Sequence, residues 1–203
     1  MNSLQVDAHG LHRPRVEGER EREIFEATLQ VLAEVGYDRL TMDAVATAAK
    51  ASKATLYRRW NGKVHLVIDA LVSAKQSPEP PDTGSLRGDL MGAFCGTHGL
   101  TGDTAATFAS VITALGRDAE FAAAFRERVV GPKMARTREI FARAQARGEV
   151  SPEVDLDLLA PALAGIVLHR MYILGSTPDE PTIAAVIDQI ILPAARSSHQ
   201  KED

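Results

Sequence analysis

The chain has 203 residues, 45% of them apolar and 25% charged, with a formal net charge of −4 at pH 7. That length is ample for a packed core, and that balance excludes wholesale disorder, a collagen-like chain and a coiled-coil rod. Aromatic residues are scarce, and the single cysteine, Cys95, excludes an internal disulfide and a cysteine-based zinc site.

Abundant Ala, Leu, Arg and Glu favour helices over a β-sandwich. The longest uncharged apolar-rich run, Leu158 to Leu168, is too short to span a bilayer, and the N-terminus lacks the apolar stretch of a signal peptide. A cytoplasmic protein with no membrane partner is expected. Charge is uneven: residues 1–76 hold 11 Lys/Arg and 10 Asp/Glu, whereas residues 77–203 hold 12 and 17. Between Lys50 and Lys63, Lys53, Arg58 and Arg59 add to a basic stretch with no acid in it.

Residues 1–16 read as a flexible basic arm, with Arg13 and Arg15 flanking Pro14. Ile24, Phe25, Val31, Leu32 and Val35 fall at helical spacing from about Glu19 to Val35, and Gly36 supplies a stop. Thr41 can cap a second, short helix to about Ala49, with Asp43 in its first turn. Lys50-Ala51-Ser52 makes a tight turn. Ser52 can cap a third helix, Lys53 to Trp60, which Asn61-Gly62 breaks. A fourth helix, Lys63 to Ala74, buries Leu66, Val67, Ala70 and Leu71.

Prolines 78, 80 and 81 and Gly84 mark a loop. Beyond it, helices are expected at about 86–98, 103–115, 118–124, 126–147, 156–174 and 180–195, with an interruption near Gly131-Pro132. The helix at 156–174 is apolar almost all round, so burial on several sides is expected, with Pro161 in its first turns or kinking it. Leu163 and Val167 lie on it. In 180–195, Ile183, Val186, Ile187, Ile190 and Ile191 form a broad stripe. These two helices complete a monomer core or form a subunit interface. The interface is the reading preferred, because burying both helices within one chain is difficult and a four-helix bundle across a two-fold axis gives each stripe a partner.

Two short helices joined by a three- or four-residue turn make a helix-turn-helix, whose second helix enters the DNA major groove. Here Leu56 and Trp60 anchor that helix, while Lys53, Ala54, Thr55 and Arg58 point outward to base edges. Tyr57 can donate to a phosphate, and Lys63 adds charge where free N–H groups open the next helix. Thr41, Lys50 and Ser52 complete the expected DNA-facing set.

Leu40 to Ala46, then Ser52 to Trp60, with Lys63 following, resemble the DNA-binding domain of the TetR family of transcriptional regulators. Ala33 to Tyr37 resemble the end of that family's first helix, and the likeness spans about residues 19–72. The resemblance implies an all-α homodimer: an N-terminal three-helix helix-turn-helix domain and a C-terminal helical ligand-binding and dimerisation domain. The expected division is 1–16 arm, 17–62 DNA-binding domain, 63–76 connecting helix and 77–203 regulatory domain. The family usually has Gly where this chain has Lys50; if the turn needs a left-handed residue, Lys50 adopts it at roughly 1 kcal/mol. Arg13-Pro14-Arg15 resembles arms that lie in the adjacent minor groove. Phe94, His98, Phe108, Ile112, Phe125, Phe141, His169 and Tyr172 lie on helices that surround a central cavity in the family.

Other chemistry finds little support. Cys95 and His98 have metal-like spacing, but two ligands make no site, and no glycine-rich phosphate loop is present. No metal, no cofactor and no enzyme activity are expected. The expected function is a ligand-responsive repressor that binds a palindromic duplex and is controlled by a small-molecule effector. A ligand-independent activator or architectural factor is the alternative. A helical carrier or enzyme with a vestigial DNA-binding motif fits the basic segment poorly.

Overall fold

The structure, a computed structural model, describes residues 13–74, 79–95 and 102–196, and within them every regular element is a helix. The first four are α1 (Arg13–Val35), α2 (Met42–Ala48), α3 (Lys53–Arg59) and α4 (Lys63–Ser73). Three agree closely with the sequence expectation. The first begins six residues early, so residues 13–16, assigned to the arm, are helical; residues 1–12 lie outside the described residues. Gly36 ends α1 with φ +78°, a conformation that costs a side-chain-bearing residue strain.

The remaining helices are α5 (Leu86–Cys95), α6 (Gly102–Leu115), α7 (Ala119–Phe125), α8 (Gly131–Ala146), α9 (Leu156–Leu159), α10 (Ala162–Tyr172), α11 (Glu180–Val186) and α12 (Leu192–Arg196). Two π-helical turns, Arg126–Val130 and Ile187–Ile191, precede α8 and α12. Each ends two residues before a proline, Pro132 or Pro193. Proline cannot donate to the carbonyl four residues back, and its ring collides with it. Widening the turn relieves this: Gly131 N–H bonds to Arg126 O, and Leu192 N–H to Ile187 O. Pro161 divides the expected 156–174 helix into α9 and α10.

Two apolar clusters hold the chain together. The first joins Ile24, Leu32, Leu40, Val45, Leu56 and Leu66 to Val111, Phe121, Phe125 and Val129. Thus α6, α7 and the first π turn share one core with α1–α4, and the cores do not divide at residue 76. The second packs Leu86 and Leu90 of α5 and Ile140 and Phe141 of α8 against α9–α12. Asp89, fully buried, ties the loop before α5 to the end of α8. It accepts from the Thr83 N–H (2.6 Å) and hydroxyl (2.7 Å) and from Arg147 (3.3 Å).

The second cluster takes up most of the residues expected at a subunit seam. Leu163, Val167, Ile183, Val186, Ile187 and Ile191 are buried within the single chain, because α5 and α8 supply the partner surfaces that the sequence reading sought in a second copy. Ile190, 48% exposed, is the one member of that set facing outward. Nor is the 156–174 segment buried all round: Leu158, Ile173 and Leu174 are exposed.

Candidate nucleic-acid interface

Local chemistry sets α2 and α3 at a fixed angle. Thr41 Oγ1 accepts from the Ala44 N–H (3.1 Å), and Ser52 Oγ accepts from the Thr55 N–H (3.1 Å), so both N-termini are capped. Between them Lys50 has φ +50°, the left-handed conformation the sequence had left conditional. The Lys50 N–H bonds to Thr47 O (3.1 Å) and the Ala51 N–H to Ala46 O (2.8 Å), which together form a Schellman motif. The same pair of bonds closes α8, where the left-handed residue is Gly148. Arg20 of α1 fixes the turn from outside, donating to Lys50 O at 2.7 Å.

The recognition segment divides cleanly by face. Leu56 is fully buried and Trp60 is 3% exposed, while Lys53, Ala54, Tyr57, Arg58 and Arg59 face solvent and Thr55 is half-buried. Burying Leu56 contributes roughly 2 kcal/mol and fixes which side of α3 faces outward. Trp60 packs edge-on against Phe25 (5.8 Å between centroids), and its indole N–H donates to Asp69 Oδ2 at 2.8 Å.

Not every expected DNA contact is free. Lys53 pairs with Asp43 across the turn at 2.6 Å, but both side chains are more than half exposed, so DNA can displace this contact. Arg59 is held by Glu21 (2.9 Å) and lies over the Trp60 ring. Lys63 differs from expectation. Its ammonium turns inward, donating to Tyr37 O (3.0 Å) and standing 4.2 Å from the centre of the Tyr37 ring. In this position it clamps the α1–α2 loop. The backbones of Arg13 and Arg15 lie in the first turn of α1. Of the outward set, Thr41, Lys50, Ser52, Lys53, Ala54, Tyr57 and Arg58 stand exposed on one motif.

Four polar links tie this unit to the second half of the chain. Tyr37 donates to Asp118 Oδ2 (2.7 Å), while Asp118 Oδ1 caps α7 at the Phe121 N–H. Arg117 pairs with Asp38 (2.6 Å), Ser110 donates to Leu32 O (3.2 Å), and Arg128 pairs with Asp69 (2.7 Å). Burial, together with the adjacent Asp118, pushes the Tyr37 phenol far above its ordinary range. The capping N–H of Phe121, with Tyr37 beside it, holds Asp118 below its usual value. Sequence reasoning missed Asp69 and Arg128. Asp69 left a signal, being the one acid in α4, set among Val64, Leu66, Val67, Ile68, Ala70 and Leu71.

The expected ligand-pocket residues scatter. Phe141 is core of the second cluster and Phe125 core of the first; Ile112 and His169 are exposed, Phe94 packs on the second cluster, and His98 lies outside the described residues. Phe108, Phe125 and Tyr172 do come together, with centroid separations of 6.5 Å and 6.0 Å from Phe108. Close to Tyr172 in sequence, the Arg170 Nε is buried without a hydrogen-bond partner. An open groove of about 450 Å³ lies instead between the α1–α2 loop and α6, walled by Tyr37, Arg39, Ser110 and Thr113. Cys95 is half-buried against the second cluster, and burial pushes its thiol up. No helix among the described residues is long and apolar enough to cross a membrane.

Comparison with known proteins decides the family. Residues 24–70 match "Bacterial regulatory proteins, tetR family", and residues 80–190 match "Tetracyclin repressor-like, C-terminal domain". The chain belongs to the TetR family. An HTH-type transcriptional regulator of Mycobacterium tuberculosis is 37% identical over 180 residues, covering 88% of this chain and 89% of the relative. The "DNA-binding transcriptional repressor TetR" of Mycobacteroides abscessus is 33% identical, covering 85% and 92%. A crystal structure of a TetR family transcription regulator superposes with a TM-score of 0.60 at 26% identity, covering 87% of this chain and 98% of that one. Salmonella enterica GusR gives a TM-score of 0.68 over 92% and 99% of the two chains; at 18% identity it shows the fold alone. This TetR-family chain is therefore an all-helical transcriptional regulator with an N-terminal helix-turn-helix and a C-terminal helical domain.

Proposed function

We propose that the chain is a homodimeric repressor that binds a palindromic duplex in the cytoplasm and releases it when a small molecule occupies the C-terminal half. The exposed face of α3 carries this reading. Its apolar face is locked into the core, so Lys53, Ala54, Thr55 and Arg58 are presented rigidly to base edges, with Thr41, Lys50, Ser52 and Tyr57 beside them for phosphates. The Mycobacteroides abscessus relative is a DNA-binding transcriptional repressor. Two such helices must stand about 34–36 Å apart to enter successive major grooves.

The second copy packs on the outward faces of α10 to α12, where Ile190 and Ile173 are exposed. The effector reaches the Phe108–Tyr172 stack, an apolar surface with Arg170 close by in sequence as its polar handle. An effector that binds better to a state with another helix spacing lowers DNA affinity by population shift.

Selection of duplexes from a random-sequence pool tests this. The protein should return a two-fold symmetric site. Arg58→Ala should relax preference at one position in each half, by about 1–3 kcal/mol for a bidentate contact. Unchanged preferences would remove Arg58 as a reader, and an asymmetric or absent consensus would overturn the dimeric reading.

A further inference from the structure

The geometry points to Asp69 as a positioning residue for DNA recognition, holding the end of the recognition helix in register with the C-terminal half through Arg128. This rests on the DNA-binding reading above and adds a coupling residue to it. Asp69 divides its two carboxylate oxygens between the halves of the molecule. Oδ2 accepts from the Trp60 indole at 2.8 Å, and Oδ1 forms an ion pair with Arg128 at 2.7 Å. The charge-assisted indole bond is directional and the Arg128 cation draws on the other oxygen, so moving either partner moves the carboxylate.

Each partner is itself held. Trp60 is the residue that follows α3; its N–H closes the helix on Leu56 O at 2.8 Å, and its ring is wedged against Phe25. A tilt of the indole therefore turns the last residues of α3, Arg58 among them. Arg128 lies in the π turn that Pro132 imposes, and Val129 beside it is buried in the core shared with α1–α4. It reports the position of α7 and α8 rather than moving freely. Asp69 thus ties the placement of the recognition helix to the packing of the regulatory helices, along a path of one hydrogen bond and one ion pair.

Trp60 is the sole tryptophan, so its emission reads this contact directly. The test compares wild type, Asp69→Asn, Arg128→Ala, Arg128→Lys and the Asp69→Asn/Arg128→Ala double variant. The readouts are Trp60 emission of the free full-length protein and affinity for a duplex selected by the wild type from a random-sequence pool. Arg128→Ala should shift the emission and weaken duplex binding about 3- to 10-fold. Arg128→Lys, which keeps a cation, should restore both toward wild type. In the Asp69→Asn background the Arg128→Ala change should add little, because the charge that Arg128 pairs with is already gone. Wild-type emission and affinity in Arg128→Ala, or losses that add in the double variant, would overturn the assignment. Arg128 is partly exposed, so its two variants decide the matter alone if Asp69→Asn fails to fold. A wild type that selects no duplex would sink the DNA-binding reading itself, while the emission shift still judges the Asp69 link.

Discussion

Lys50 performs two tasks that a pair of substitutions can separate. Its backbone occupies the left-handed position of a Schellman motif, and its side chain adds a positive charge beside the recognition helix. A side-chain-bearing residue there costs about 1–2 kcal/mol relative to a right-handed conformation. Glycine escapes that cost but loses about 0.5–1 kcal/mol more chain entropy on folding. Lys50→Gly should therefore stabilise the protein by about 0.5–1 kcal/mol, a rise in melting temperature of about 1–4 °C for a chain of this size. The hydrogen bond from Arg20 survives, because it is received by the backbone carbonyl. Lys50→Ala keeps the left-handed strain and loses only the charge, so its melting temperature should fall below that of Lys50→Gly. On DNA the two variants should agree. Each removes one phosphate contact per subunit, lowering the salt-dependence slope by about 1.8 for a dimer. Thermal melts followed by circular dichroism and anisotropy titrations across a salt series read both quantities. A glycine variant no more stable than the alanine variant would refute the strain argument. A difference in salt slope between them would refute the assignment of the DNA effect to charge.

Lys63→Ala should lower stability by about 1–2 kcal/mol through loss of its carbonyl bond and ring contact, and leave the salt slope of DNA binding unchanged; a flattened slope would return Lys63 to the phosphates. Ile187→Asp should unfold the chain, since it places a carboxylate at a fully buried site, whereas Ile190→Asp should keep its helical signal and sediment as a monomer. A folded monomeric Ile187→Asp would restore that residue to the interface. Burial would raise the Asp89 carboxyl, but the bonds from Thr83 and Arg147 outweigh it and hold the folded pKa below the unfolded value. Its contribution is therefore full above about pH 4 and is lost as pH falls through the lower folded pKa. Asp89→Asn should be less stable at pH 7 and show a shallower acid limb in pH-dependent melts; a parallel acid limb would show that Asp89 has no part in it.

What the sequence revealed depends on how far each signal reaches along the chain. Thr41, Ser52 and Gly36 act on N–H groups and turns within four residues, so the caps and the helix-turn-helix were legible directly. Leu56 and Trp60 were legible as core from spacing against the basic residues between them. The direction of Lys63 was not, because Tyr37, its partner, lies 26 residues away. The stripe at Ile183 to Ile191 announced an apolar face but not the surface opposite it, and α5 and α8 answered where a second copy was expected. Proline marked the interruption at residue 132, but periodicity carries no sign of the widened turn that accommodates it.

The core that α1–α4 share with α6, α7 and the first π turn sets where this protein can be cut and recombined. A chimera joined at residue 76 would separate Leu32 and Leu66 from Phe121, Phe125 and Val129, and expose apolar surface on both fragments. The portable DNA-reading module is larger than the helix-turn-helix: it is residues 13–74 together with 106–130, two pieces of chain that meet only in space. Exchanging specificity between relatives thus requires grafting the outward residues of α3 onto an intact host rather than splicing domains, so that new base preferences arrive without disturbing the surfaces that receive the regulatory helices.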